Sequence, residues 1–317
     1  MSDKALASGA SVAVIGAGII GVATACALAS RGYEVVVYDR SAPGEAGASR
    51  SNAGHIAASD IFPLSSPGIH WKALGMLLSR DGALKIPARD ALAHIPWFWR
   101  FCCNSRRKPF EAATRALTYL CRSTLADTAA MFESAGIGDM LRHSGCAFVY
   151  DDEQSFNSSK YSWADKRAQG FDSDAMDAAR LAKDIPAIAE NFRHVVLSQQ
   201  WSMVSDPLDV VRGLVAAAES NGVVFQHLAV NALSAKPGMV SLDTDHGSIR
   251  HEAVIVAAGV NSAGFAKSCG DYLPMAAERG YNLTIPTSGI ELDLPLVFAD
   301  RGVVATQLSS GLRIGGW

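Results

Sequence analysis

The stretch that most limits what this chain can fold into is residues 11–40, SVAVIGAGIIGVATACALASRGYEVVVYDR. Val12–Ile15 is a short apolar run rich in β-branched residues, which predicts a buried parallel strand. Gly16, Gly18 and Gly21 follow at G-x-G-x-x-G spacing, and an Ala-rich run from Ile19 to about Ser30 predicts a helix ended by Gly32. Glu34–Tyr38 predicts a second apolar strand, closed by Asp39. Each part has a physical task. Gly16 allows the tight turn, Gly18 lets a pyrophosphate approach the backbone, and Gly21 lets the helix pack on the strand. The helix N-terminus offers N–H groups and a positive dipole end to phosphates. Asp39 stands where a carboxylate accepts hydrogen bonds from ribose hydroxyls, and an acid there argues against a 2′-phosphate. Glycines alone cluster in many loops, but strand, glycines, helix, strand and terminal acid in this order predict a dinucleotide site.

The apolar run Val12–Ala29 invites comparison with a signal peptide or a membrane span. Its glycine spacing, and the charged strand-and-turn region directly after it, favour the nucleotide reading. No transmembrane helix and no internal repeat is expected. A net charge of −3 gives no electrostatic reason to expect nucleic acid. The six cysteines form no C-x-x-C and lie near no partnering histidine, so no metal site is expected and reduced cytosolic thiols are the default.

After Arg40 comes a Gly/Ala/Ser-rich segment, SAPGEAGASRSNAGHIAASD, where a nicotinamide dehydrogenase would be expected to carry a regular helix. Small residues just beyond the second strand let backbone amides approach a large planar ligand. GAGIIG, YDR and ASRSNAGHIA together resemble the amino-terminal half of FAD-dependent D-amino-acid dehydrogenases, within the wider glycine oxidase and D-amino-acid oxidase family. The resemblance implies that Ser49, Ser51, Asn52, Ala53, Gly54, His55 and Ile56 lie along the flavin and its pyrophosphate. His55 stands where those dehydrogenases more often have glutamine, and three roles are open to it: a covalent flavin attachment, a substrate contact, or a filler of the ring-facing surface.

Residues 69–135 are expected to be mostly helical, in three runs beginning WKALGMLLS, ARDALAHIPWFWRFCCNSRR and EAATRALTYLCRSTLADTAAMFESAG. Leu117, Leu120, Cys121, Leu125 and Phe132 are assigned to one helical face. The cluster Trp97, Phe98, Trp99 and Phe101, followed by Arg106, Arg107 and Lys108, reads either as a helix packed on a core or as a membrane-surface element, with packing preferred. From Gly145 the pattern turns to strands, interrupted by a helix over 153–169 and by a well-signalled one opened by Asp206–Pro207 and stopped by Gly222.

HEAVIVAAGVNS predicts a second buried strand, Ala253–Ala257, ended by the small residues Ala258 and Gly259, which separates an FAD protein from a simple NAD fold. ERGYNLTIP alternates as a strand and resembles the K-G-Y-x-L-T-I-P run of the dehydrogenases. By that resemblance the Tyr281 hydroxyl faces substrate, Val230 packs on the adenine side, and Arg279 is a solvated strand charge. A final strand pair is expected around Ser309–Gly311. The family pattern then continues with an arginine in a G-L-R-P-type motif, a P-D-G-x-P-x-x-G run and a G-H-G-rich flavin loop. None of these falls within the 317 residues, so a truncated member of uncertain activity is the expectation.

The expected fold is α/β, a doubly wound Rossmann-type FAD-binding domain with an inserted antiparallel β-sheet substrate domain. The FAD-binding domain is assigned residues 1–68, 145–230 and 248–272, and the helical insertion and substrate domain 69–144 and 273–317. The cofactor-binding set is Val14, Ile15, Gly16, Ala17, Gly18, Ile19, Ile20, Gly21, Asp39, Arg40, Ser49, Ser51, Asn52, Ala53, Gly54, Val230, Ala258 and Gly259, with no metal. Tyr281 and His55 are the catalytic candidates. The resemblance implies oxidation of D-amino acids to 2-oxo acids and ammonia by hydride transfer to FAD. Electrons then pass to the respiratory chain, through a quinone, or to oxygen. It also implies a cytoplasmic protein with a peripheral contact at the inner face of the membrane. The alternatives are a glycine- or sarcosine-type oxidase using oxygen, a catalytically silent FAD-binding fragment, and an NAD dehydrogenase, which the second glycine-ended strand disfavours.

Overall fold

Strand β1 (Ser11–Ile15) lies inside a four-stranded parallel sheet, flanked by β2 (Glu34–Asp39) on one side and β13 (Ala253–Val256) on the other. β9 (Val224–His227) completes that sheet beyond β2. A computed structural model describes residues 6–69, 88–275 and 277–316. The chain divides into two units. Unit 1 takes in residues up to Asn52, Ala130–Met140 and Ser205–Ala277. Unit 2 takes in Ala53–Ala129, Leu141–Val204 and the residues from Glu278 onward. The expected helix around WKALGMLLS lies outside the described residues.

In unit 1 both faces of the parallel sheet are covered, which is why its strands read as nearly continuous apolar runs. On one face, Val14, Val35 and Val37 meet Ala25 of helix α1 (Ile19–Ala29) and Ala218 of α8 (Pro207–Ser220). On the other, Ala13, Ile15 and Tyr38 meet Leu233, Val240 and Leu242 of an antiparallel sheet, together with Phe265 of α9 (Ser262–Ser268). That sheet runs β10 (Val230–Lys236), β11 (Met239–Thr244), β12 (Gly247–His251). α8 starts as its sequence signals: the Asp206 carboxylate accepts from the Leu208 N–H at 2.9 Å, and Pro207 takes the first helical position.

Unit 2 is built on a seven-stranded sheet in the order β14 (Tyr281–Ile285), β17 (Gly311–Gly316), β16 (Val303–Leu308), β15 (Leu296–Phe298), β5 (Cys146–Tyr150), β7 (His194–Ser198), β6 (Ser173–Ala175). Only β15 and β5 run parallel within it. Val149, Leu181, Ile185, Val195, Leu296 and Leu312 fill one face. Trp163 of α5 (Glu153–Ala168) fills the other, its indole N–H donating to the Tyr150 hydroxyl at 2.7 Å. A separate three-stranded sheet, β3 (His55–Ala57), β8 (Trp201–Val204), β4 (Leu141–Arg142), belongs to the same unit.

The contact-defined units group the chain differently from the expected segments: residues 53–68 and 145–204 fall in unit 2, and 130–140 in unit 1. The cause is pairing over long sequence separation: Ala147 of β5 pairs with Leu296 and Leu197, not with the parallel sheet. The helical face assigned to Leu117 through Phe132 spans two helices, α3 (Arg107–Cys121) and α4 (Thr124–Ser134), and loses one member. On α3 itself Leu120 leaves that face and is 66% exposed, while Cys121 and Leu125, on either side of the break, pack on one buried cluster and Phe132 is buried.

Candidate nucleotide and substrate site

The turn from β1 into α1 has little room for side chains. Gly16 sits at φ +108°, and a Cβ there would run into the Ala257 carbonyl. A Cβ on Gly21 would overlap the Gly16 carbonyl oxygen, so α1 seats its first turn directly on the loop. Gly18 is different. It is the N-cap of α1, in extended backbone, and a Cβ there would meet only the Ser49 hydroxyl at 3.0 Å. No side chain caps α1 from Gly18, but Ser49 Oγ accepts from the Ile19 N–H at 3.0 Å. The segment after β2 therefore folds back over the glycine loop, and Gly44 N–H donates to the Ala17 carbonyl at 2.9 Å.

Asp39 does more than the sequence reading gave it. Its Oδ2 accepts from the Ala17 N–H at 2.7 Å and its Oδ1 from the Ser41 N–H at 2.9 Å. The carboxylate thus braces the glycine loop, and each oxygen keeps a further lone pair for another donor. Arg40 is exposed at the strand end, its carbonyl bonded to His227 Nε2 at 2.7 Å. Asn52 Nδ2 donates to the carbonyls of Ala48 and Ser49 at 3.2 and 3.1 Å, closing a turn that also holds the exposed Ser51. Val230 opens β10 against the unit 1 core, and Ala258 and Gly259 follow β13, Gly259 at φ +55°. Val14, Ile15, Ala17, Ile19 and Ile20 belong to the same strand, loop and helix start. Ala257, whose carbonyl faces Gly16, was missed by sequence reasoning. No spacing rule points to it, although its neighbours Ala258 and Gly259 were singled out.

The remaining candidates belong to unit 2. Ala53 and the buried Gly54 lead into β3, where the Gly54 carbonyl accepts from the Val204 N–H at 2.9 Å. His55 Nε2 is hydrogen-bonded to Thr306 Oγ1 on β16, and its ring lies edge-on to Trp201 with centroids 5.5 Å apart. Trp201 is itself fixed, since its indole N–H donates to Ser59 Oγ at 2.7 Å and Ser59 shares a 2.8 Å bond with Ser198. Burial lowers the His55 pKa to about 4, so the ring is neutral at neutral pH. Tyr281 is placed apart from it, at the start of edge strand β14 and 72% exposed. Thr306, opposite Arg313 in register, with Arg313 Nε donating to Thr284 Oγ1 at 3.0 Å, extends a polar row across β16, β17 and β14 that sequence reasoning passed over. Period-two alternation gives such a row no distinctive signal.

Two other ionisable groups in unit 2 are buried. Lys166 is 6% exposed with its ammonium 4.6 Å from the Trp163 ring centroid and 5.4 Å from that of Phe148; burial lowers its pKa, partly offset by Asp60. Burial likewise pushes the Cys146 thiol well up, away from thiolate chemistry. Among the described residues no cluster of three or more His, Cys, Asp or Glu is arranged to hold a metal ion. No helix among them is long and apolar enough to cross a membrane.

Comparison with known proteins gives the family and the fold. The family model described as FAD dependent oxidoreductase matches residues 11–317. A D-amino-acid oxidase of Bradyrhizobium diazoefficiens is 26% identical over 314 residues, covering 97% of this chain and 74% of that one. A D-amino acid dehydrogenase of Rhizobium johnstonii is 29% identical over 315 residues, covering 96% and 75%. The fold is that of a crystal structure of glycine oxidase from Geobacillus kaustophilus, with a TM-score of 0.63 at 20% identity over 97% of this chain and 71% of that one. The match over nearly the whole sequence places the chain in the DAO family of FAD-dependent oxidoreductases.

Proposed function

We propose that the chain oxidises D-amino acids, with unit 1 as the FAD-binding body and unit 2 as the substrate-binding one. The observation that carries the cofactor assignment is the contrast inside the glycine loop. Gly16 and Gly21 are closed off by protein backbone, whereas Gly18, at the N-terminus of α1, is faced only by the Ser49 hydroxyl, which a phosphate could replace at the Ile19 N–H. The residues fit the group. Val14 through Gly21 are assigned to the pyrophosphate and adenosine approach, Asp39 and Arg40 to the ribose end, and Val230 to the adenine side. Ser49, Ser51, Asn52, Ala53, Gly54, Ala258 and Gly259 complete the set.

When bound, FAD supplies the two-electron acceptor for a substrate Cα–H. The chain's own groups position the substrate. His55, neutral because it is buried, offers a hydrogen bond without a charge, and its ring is held by Thr306 and Trp201. Tyr281 offers a hydroxyl from the edge of the sheet. The net reaction removes a hydride and a proton from the amino acid to give an imino acid, which water converts to a 2-oxo acid and ammonia. The relatives' names supply the substrate class, since both an oxidase and dehydrogenases of D-amino acids are among them. That mixture keeps two acceptors in play, oxygen and a quinone of the respiratory chain. The cellular place that goes with the second is the cytoplasm, with a peripheral contact at the inner membrane face.

The test is turnover of D-alanine and L-alanine by FAD-loaded protein, with a soluble dye and with oxygen as acceptor. Dye reduction with the D-enantiomer alone is the expected result. Turnover of the L-enantiomer only, or of glycine and sarcosine but no D-amino acid, would remove the substrate assignment.

A further inference from the structure

Six cations lie within residues 95–122 (Arg100, Arg106, Arg107, Lys108, Arg115 and Arg122) against a single carboxylate, in a chain whose net charge is −3. All six are exposed, and the carboxylate, Glu111, is taken by Arg107 at 2.8 Å. The same stretch carries large apolar side chains in solvent: Ile95 is 56% exposed, Trp99 71%, Tyr119 79% and Leu120 66%. Helix geometry groups them. Lys108, Arg115, Tyr119 and Arg122 recur at i, i+7, i+11 and i+14 along and just past α3, forming one outward stripe. Ile95, Trp99 and Cys102 recur at i, i+4 and i+7 on α2 (Ala88–Asn104), and Arg106 joins the two helices as the N-cap of α3.

Other side chains of these helices stack on one another or pack inward. Trp97 stacks on Phe101 with centroids 5.2 Å apart, and Phe110 stacks on Phe62 at 5.9 Å. Cys121 packs against the buried cluster of Ala58, Ile61 and Phe171. By helical period the exposed stripes lie on the opposite sides of the helices from these contacts.

We infer that the α2–α3 helical pair is a docking surface for an anionic lipid bilayer. Cations interleaved with tryptophan and tyrosine suit the headgroup region, where the ring lies among the glycerol groups while the guanidinium meets phosphate. Nucleic acid would also attract the cations and stack on Trp99 or Tyr119. It gives Ile95 and Leu120 nothing to bury against, whereas acyl chains do. The inference deepens the peripheral contact proposed above and rests on it, so vesicle binding is read separately from FAD content and dye-linked turnover. Losing either of those alone would count against the enzyme reading and leave the surface untouched.

The experiment is flotation of the full FAD-loaded chain with vesicles of phosphatidylcholine alone and of phosphatidylcholine with phosphatidylglycerol, at low and high salt. Binding to the anionic vesicles, weakened by salt, is expected. Arg115→Gln and Arg122→Gln should each lower the partition constant by about fivefold, with unchanged thermal melts because both side chains are solvated. Trp99→Phe should abolish most of the blue shift in tryptophan emission that vesicles cause. Equal flotation with neutral and anionic vesicles, indifference to both arginine changes, or displacement from vesicles by a single-stranded oligonucleotide would each overturn the inference. The salt titration on the unmodified chain keeps it falsifiable should a variant fold poorly.

Discussion

The two units solve the same problem, placing a few polar groups accurately, by different means. In unit 1 the glycine loop is almost entirely local: the N–H of Gly16 donates to Tyr38, that of Ala17 to Asp39 and that of Ile19 to Ser49, within one strand–helix–strand passage and the turn after it. The approach of Ala257 to Gly16 comes from far along the chain. In unit 2 the group of interest is assembled at long range. His55 meets Thr306 across 251 residues, and its support, Trp201, is fixed through Ser59 and Ser198. A local site tolerates change around it and fails when its own glycines are filled. A long-range site depends on every strand that brings its members together, and its formation waits on loop closure.

The largest effect separates the closed glycines from the open one. Gly16→Val meets both a left-handed backbone and the Ala257 carbonyl, so it should destabilise the chain by about 3 kcal/mol or more and yield protein without flavin. Gly18→Ala meets only a hydroxyl at 3.0 Å and should shift stability by about 1 kcal/mol or less while still weakening FAD. Melts and flavin content of the two purified variants decide the matter. If Gly18→Ala kept full FAD affinity, no phosphate would be passing that position. Next comes Asp39→Ala, expected to weaken FAD by roughly 1.5–3 kcal/mol, about ten- to 150-fold. Unlike a pure ribose ligand, Asp39 also holds Ala17, so the variant should melt earlier even without FAD. Flavin fluorescence titration and a melt of the cofactor-free protein read the two effects apart.

In unit 2 the telling variable is pH. The folded His55 pKa, about 4, lies below the unfolded value of 6.5. The unfolded chain therefore binds the proton first, and the stability gained by keeping His55 neutral is complete above pH 6.5 and lost as pH falls towards 4. With solvent screening at a half-buried site the loss is on the order of 2 kcal/mol, and His55→Gln should flatten that part of the profile. A profile unchanged by the substitution would mean the ring is solvated. The smallest effect belongs to Ser49→Ala, which removes the hydroxyl that accepts from Ile19 and should cost about 1 kcal/mol, as loss of a helix N-cap does.

What the sequence made legible follows the same division. β1, α1, β2 and the start of α8 stand where glycine spacing, apolar period, Asp206 and Pro207 indicate, because those signals act between near neighbours. The assignment of Asp39 was incomplete, since the sequence shows an acid at a strand end but not the loop N–H folded against it. The partition of residues 145–204 was not legible. CAFVY reads as a buried strand in either unit, and only its pairing with Leu296–Phe298 decides which. Leu120 was misread for a smaller reason: its spacing from Leu117 also fits the stripe, but on α3 it faces solvent while Cys121 faces the buried cluster. Thr306 and the row it forms with Arg313 had no local signature at all.

The most direct measurement is titration of the deflavinated 317-residue chain with FAD and, separately, with NAD, followed by flavin fluorescence quenching for the first and by calorimetry for both. Saturable binding of FAD, weakened by Gly18→Ala and by Asp39→Ala, with no heat from NAD, is the expected outcome. Binding of NAD with no uptake of FAD, or FAD uptake indifferent to both substitutions, would contradict the assignment of the glycine loop as the flavin dinucleotide site.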